Sequence, residues 1–249
     1  MGHERRIFVE EVLADAEEVC PKPSDAHHLE RVLRLKVGDA VTVVDERQQA
    51  YRATVGQVSP MRLRLHGLVR SVTQQPDCPV AHVLCGLTKG PASDAIVEGA
   101  SEFGVARITF WQAERSVPAD GTSRLRRWQL IAESAAKQSG QLVVPEVVWE
   151  SSLEETLAKL SLEQRARYLC SLHPDARSLN QSDSENNQKM VLAFGPEGDI
   201  TPKEEHLFRK AGFSLITLGA SRLRCQTAVI AAIAGAYALR LSTITTQTD

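Results

Sequence analysis

The chain has no C-x-x-C pair, although it carries five cysteines, Cys20, Cys78, Cys85, Cys170 and Cys225. An odd, scattered set without pairing reads as reduced thiols and argues against a disulfide framework. Cys170 and His173 are spaced C-x-x-H, but no second pair completes four ligands, so no metal is expected. There is no G-x-G-x-x-G and no G-x-x-x-x-G-K-[ST], which removes the common nucleotide fingerprints. The longest apolar stretch, 228–239, is too short and too alanine-rich to span a bilayer. Glu4, Arg5, Arg6, Glu10 and Glu11 near the start do not make a signal peptide. A cytoplasmic protein is the expectation, without membrane contact. No internal repeat is visible.

A strong excess of charge is also missing. The net value of −2 conceals a pattern: residues 1–30 hold three Lys/Arg and eight Asp/Glu, and residues 31–72 hold eight and three. A locally basic surface can bind phosphates on a nearly neutral protein, and a solvated strand face is the alternative.

What is present is an α/β rhythm. Met190–Phe194 is an apolar run that breaks at Gly195-Pro196 and again at Gly198. Thr201, Pro202 and Glu204-Glu205 then read as the cap and first turn of a helix. The pattern recurs at 213–218, where a second apolar run meets Gly219 and an alanine-rich helix over 226–241. Two glycine-hinged loops at strand ends suggest one pocket lined by backbone, with ordinary connections as the alternative. Upstream, 80–87, 106–111, 146–149 and 167–172 read as strands, and 92–103, 124–138 and 152–160 as helices. Such alternation predicts a parallel sheet covered on both faces. The first seventy residues differ. Short strands at 5–9, 40–45, 50–55 and 62–66 surround one helix beginning at Ser24 or Asp25, which predicts a small β-barrel. The polar, proline-bearing 73–79 is the expected linker, and 178–189 an exposed loop.

Several blocks together resemble the RsmE family of 16S ribosomal RNA methyltransferases, which modify N3 of a uracil, position 1498. They are His27-His28-Leu29, Val32 to Asp39, Lys89, Glu102 to Val105, Arg115-Ser116, Arg127-Trp128, Ala135 to Gly140, Gly195 to Gly198, and Leu218-Gly219 with Leu223-Arg224 and Thr227-Ala228. The resemblance covers nearly the whole chain in order. It implies a PUA-like RNA-binding barrel over 1–74 and a SPOUT methyltransferase domain over 75–249 with a C-terminal trefoil knot. It also implies S-adenosyl-L-methionine as cofactor, 16S rRNA or the small ribosomal subunit as partner, and a homodimer through the C-terminal domain.

By the same resemblance the cofactor pocket comprises Leu172, His173, Pro174, Gly195, Pro196, Glu197, Gly198, Leu218, Gly219, Ala220, Arg222 and Leu223. Arg224 is the candidate to stabilise charge spreading onto the uracil carbonyls, since a guanidinium offers directed donors. Its structural alternative is a pair with Glu197. Glu197 is the nearest carboxylate should a base be needed, with a role in loop structure as the alternative. Arg5, Arg6, His28, Arg31, Arg34, Lys36, Arg115 and Arg127 are the RNA-contact candidates. Four positions depart from the family. Asp199 replaces a glycine, Ser221 and Gln141 replace arginines, and Gln226 replaces a glutamate. These departures keep a second function open, a non-catalytic RNA-binding or ribosome-assembly factor that retains the fold. An active relative modifying another RNA position is a third.

Overall fold

The computed structural model describes residues 6–10, 12, 16–21, 23–31, 34–45, 49–68, 78–116, 121–160, 165–179 and 189–246. Its contacts cluster into two compact units, Met1–Pro76 with Lys137–Leu142, and Asp77–Ala136 with Val143–Asp249.

The first unit is built on one five-stranded sheet. β1 (Arg6–Phe8) lies parallel to β3 (Ala40–Val44), and β3, β4 (Ala50–Val58), β5 (Met61–Leu68) and β2 (Glu18–Val19) follow antiparallel. Period-two alternation decides which side chains go inside. Tyr51, Ala53, Val55, Met61 and Leu63 are buried with Ile7, Val41, Val43 and Leu29 of α1 (Pro23–Arg31). Arg52, Arg62, Arg64 and His66 point outward and are exposed. Buried Asp45 closes the β3–β4 turn by accepting the Gln49 N–H at 2.8 Å. β2 is only two residues long, too short to leave an alternating pattern in the sequence.

The second unit carries an all-parallel seven-stranded sheet in the order β10-β12-β9-β11-β6-β7-β8. The strands are β6 (Val80–Gly86), β7 (Arg107–Trp111), β8 (Glu146–Glu150), β9 (Ala166–Cys170), β10 (Arg177–Ser178), β11 (Met190–Phe194) and β12 (Ser214–Thr217). Every residue of β6 and β11 is buried, as strands covered on both faces of a parallel sheet should be, and His82 is the one polar side chain among them. Alternate residues feed opposite layers. Val83, Cys85, Leu192 and Phe194 pack with α2 (Ala92–Glu102), α3 (Thr122–Ser139) and α6 (Cys225–Thr246). Leu84, Val191 and Ala193 pack with α4 (Leu153–Leu160) and Phe208 of α5 (Pro202–Lys210). α6 is longer than the 226–241 expected. Of the loop expected over 178–189, Ser178 ends β10 (Arg177–Ser178), and residues 180–188 lie outside the described residues. Among the described residues no helix is long and apolar enough to cross a membrane.

The chain lays down β6, β7 and β8 to one side and places β9, β12 and β10 on the other, with β11 between β9 and β6. The strand order therefore reverses around β6 and β11. Ligands of open α/β sheets bind beyond the carboxyl ends of strands at such a switch point.

Candidate functional site

A cavity of about 750 Å³ opens at that point, within the size range of cofactor sites. Four loops line it. Lys89 and Pro91 follow β6, and Cys170 to Leu172 end and follow β9. Phe194 to Glu197 and Asp199 follow β11, and Leu218, Gly219 and Ser221 to Gln226 follow β12.

The β11 loop is held by local chemistry. The Asp199 N–H donates to the Pro196 carbonyl at 3.0 Å, closing a turn. Asp199 sits at φ 63° and its carboxylate accepts the Ile200 N–H at 3.0 Å, a bond that helps a short polar side chain occupy a left-handed position. Thr201 and buried Glu204 form a reciprocal capping box at the start of α5. Glu204 also accepts the Glu114 N–H at 2.8 Å. A Cβ on Gly198 would stand 2.7 Å from the Arg115 carbonyl oxygen, and one on Gly195 would stand 3.0 Å from Ile200 Cγ2. A side chain at 198 would therefore strike the backbone at Arg115, and one at 195 would force Ile200 to shift.

Two contacts join this loop to its neighbours. Glu197 Oε1 accepts the backbone N–H of Lys89 at 3.0 Å, tying it to the β6 loop. Cys225, the first residue of α6, donates its thiol to the Gly195 carbonyl at 3.2 Å and lies 3.3 Å from the Cys85 sulfur. The hydrogen bond with Cys225 and then burial raise the Cys85 pKa well above the usual thiol range, and burial raises that of Cys170. Cys170, which lines the cavity, is thus held as the neutral thiol. In the β12 loop, Thr217 Oγ1 donates to the Gly219 carbonyl at 3.0 Å and accepts the Gly219 N–H at 3.2 Å. Gly219 adopts φ 120°, a conformation that disfavours any side chain.

The charges at the mouth are arranged unevenly. Arg222 Nη1 and Asp199 Oδ2 are 3.6 Å apart, an exposed and therefore weak pair. Arg224 is exposed on the cavity wall; its carbonyl accepts the Ala228 N–H at 2.9 Å, while its side chain makes no hydrogen bond or ion pair among the described residues. The alternative in which it pairs with Glu197 is not observed. Its guanidinium stays available for a ligand oxygen.

The cavity wall brings together Leu172, Gly195, Pro196, Glu197, Leu218, Gly219, Arg222, Leu223 and Arg224 of the expected set, with Asp199, Ser221 and Gln226. His173, Pro174, Gly198 and Ala220 are not on it. His173 instead folds back locally, its N–H on Ser171 Oγ at 3.0 Å and its Nδ1 accepting the Asp175 N–H at 3.2 Å. Sequence reasoning missed Pro91, Cys170 and Cys225 as lining residues and gave Lys89 no place in the pocket. A Lys89-Gly90-Pro91 turn after a mostly apolar strand was a usable signal for one more loop at the same sheet edge.

The expected RNA contacts are dispersed. Arg31, Arg34 and Lys36 are exposed, and Arg6 is half-buried in β1. Arg5 and the His28 side chain lie outside the described residues. Arg115 is exposed beside Gly198. Arg127 donates Nε and Nη2 to Asp94 Oδ2 at 3.1 and 2.8 Å, while Trp128 Nε1 donates to the other oxygen at 3.1 Å. Arg127 thus braces α3 against α2.

The family model for an RNA methyltransferase domain matches residues 75–236, and that for an RNA methyltransferase PUA domain matches residues 22–64. Ribosomal RNA small subunit methyltransferase E of Synechocystis is 30% identical over 219 residues, covering 86% of this chain and 70% of the relative. The protein of that name from Mycobacterium bovis is 28% identical over 240 residues, covering 91% of this chain and 89% of the relative. Among solved structures, ribosomal RNA small subunit methyltransferase E from Neisseria gonorrhoeae, bound to S-adenosyl methionine, superposes with a TM-score of 0.81 at 26% identity. The match covers 95% of this chain and 98% of that one.

Proposed function

Because the chain belongs to the ribosomal RNA small subunit methyltransferase E family, we propose that its glycine-loop cavity binds S-adenosyl-L-methionine and that it methylates 16S ribosomal RNA, at N3 of the uridine at position 1498. The observation that carries this reading is the joining of the β11 and β12 loops at one cavity through Cys225 and Gly195. The residues fit the cofactor. Leu172, Leu218 and Leu223 offer apolar contact for an adenosine, and the two glycine turns bring backbone groups to the wall.

When bound, the cofactor supplies a methyl group already activated on a sulfonium. The protein's own task is alignment and charge stabilisation. Uracil N3 must lose its proton, and negative charge then spreads onto the carbonyl oxygens. Arg224, unpaired on the wall, is the group we assign to those oxygens. Glu197 is assigned to positioning, since its carboxylate already accepts the Lys89 N–H. Gln226 lines the cavity, but its amide does not accept a proton near neutral pH, so the N3 proton passes to water.

We read residues 1–74 as an RNA-binding PUA-like domain and 75–249 as a SPOUT methyltransferase domain. The contact division at Pro76 and Asp77 supports that boundary. The same reading includes a C-terminal trefoil knot, a cytoplasmic site of action and a homodimer through the second unit. Exposed apolar positions Ala231 and Ala238 on α6 support the dimer face.

Calorimetric titration of the purified chain with S-adenosyl-L-methionine, followed by mass mapping of methylated 16S rRNA, tests the proposal. Micromolar binding and a new methyl on a uracil N3 are expected. Failure to bind S-adenosylhomocysteine at millimolar concentration, with RNA binding retained, would establish the assembly-factor alternative.

A further inference from the structure

We propose that the outward face of β4 and β5 is a phosphate-binding surface for RNA, with Arg52, Arg62, Arg64 and His66 as its contacts. The inference rests on the RNA-directed reading above, yet it concerns the first unit alone and residues that no motif singles out. Alternation sends the neighbours of these four side chains into the core and leaves the four exposed. On β5, residues 62, 64 and 66 recur at every second position, so their stems are spaced about 7 Å apart along the strand. Thr54, opposite Arg64 in the register, hydrogen-bonds His66 Nε2 at 2.8 Å and orients the ring. Gly56, in the outward row of β4, adds no side chain, and a Cβ there would stand 3.7 Å from Glu18 Oε1 and 3.8 Å from Arg64 Cβ.

The charge on this face is out of balance. Glu18 lies 3.6 Å from Arg62 and 3.6 Å from Arg64, which are 50% and 63% exposed. One carboxylate is shared by two guanidiniums at distances too long for good hydrogen bonds. Arg52 pairs with no carboxylate among the described residues. Exposed pairs of this kind contribute little to folding, so the fold does not account for three arginines on one face of β4 and β5. A polyanion does. Phosphate oxygens accept the forked donors of arginine, and they would displace Glu18 from its two partners.

The test uses the full chain and a fluorescein-labelled RNA hairpin, with anisotropy titrations across a series of KCl concentrations. In R62Q/R64Q the slope of log K against log[salt] should fall by about two, with affinity at low salt reduced roughly tenfold or more. R62K/R64K should keep most of the slope, and Glu18→Gln should bind the hairpin several-fold more tightly. A wild-type slope in R62Q/R64Q, or unchanged affinity in Glu18→Gln, overturns the proposal. Calorimetry with S-adenosyl-L-methionine on the same variants reads the second unit independently. Normal cofactor binding with unchanged RNA affinity sinks this surface and leaves the methyltransferase reading intact. Cofactor binding that fails even in wild type sinks that reading and leaves the anisotropy result to stand.

Discussion

Acidification should strip stability from the second unit through His82. The ring lies in β6, 3% exposed, with Nε2 2.8 Å from Thr109 Oγ1 and Nδ1 without a partner among the described residues. Burial first, and then the charges of Arg107 and Arg165, push its pKa from 6.5 down to about 3. In the unfolded chain the same imidazole takes its proton near pH 6.5. Between those values the unfolded chain binds a proton that the native state refuses, so stability rises with pH across the window. The contribution is complete above pH 6.5 and drains as pH falls, by up to about 1.4 kcal/mol per pH unit. From pH 7 to pH 5 the loss is about 2 kcal/mol. For a unit of this size that lowers Tm by roughly 4 to 8 °C. Scanning calorimetry of wild type and His82→Gln at pH 7, 6 and 5 measures it. Carboxylates titrate in both proteins, so the difference between the two pH curves isolates the imidazole. The wild type should lose about 2 kcal/mol more than the variant over that range. Parallel curves would refute the reasoning.

Three further outcomes follow from the cavity. Arg224→Ala should reduce methyl transfer by about a hundredfold or more while leaving cofactor affinity close to wild type; rapid turnover would remove Arg224 from the reaction. Glu197→Gln should loosen the β6 loop and raise KM for S-adenosyl-L-methionine more than it lowers kcat, because the amide accepts the Lys89 N–H less strongly than a carboxylate; the reverse pattern in steady-state kinetics would make Glu197 a chemical participant. Gly195→Val should displace Ile200, which a Cβ would approach to 3.0 Å, and weaken cofactor binding in calorimetry; an unaltered Kd would mean that the β11 loop is not part of the site.

Much of the second unit is legible in the sequence because its central strands are buried on both faces. Met190–Phe194 is an unbroken apolar run for that reason, and Val80–Gly86 is one but for His82. Thr201 and Glu204 announce α5 because a capping box is a local device. The joining of the loops is not legible. Lys89 and Glu197 are 108 residues apart, and Cys85 and Cys225 are 140 apart, and nothing local encodes such pairings. His173 and Pro174 look like cofactor contacts by resemblance, yet a side-chain bond from Ser171 turns the backbone there into a separate bend. Asp199 stands where the resemblance implies glycine. The structure shows it tolerated at positive φ by its own bond to Ile200 N–H. In the first unit the alternation of β5 is plain in the sequence. That its arginines share one face with Arg52 depends on the β4–β5 pairing, which periodicity alone does not reveal.

The dispersion of the cavity wall along the chain has a consequence in time. Its parts come from 89–95, 170–172, 194–199 and 218–228, so the cavity does not exist until β12 has paired with β9 and α6 has seated Cys225 beneath Gly195. Contacts so distant in sequence form slowly. A chain arrested before residue 218 contains all seven strands of the sheet and still lacks the loop after β12 and α6, which complete the cavity wall. With the cavity as the proposed donor site, affinity for the donor belongs only to the finished molecule, and a donor that binds holds the molecule in that state by mass action. The cell's own pool of cofactor acts as the last inspector of the fold.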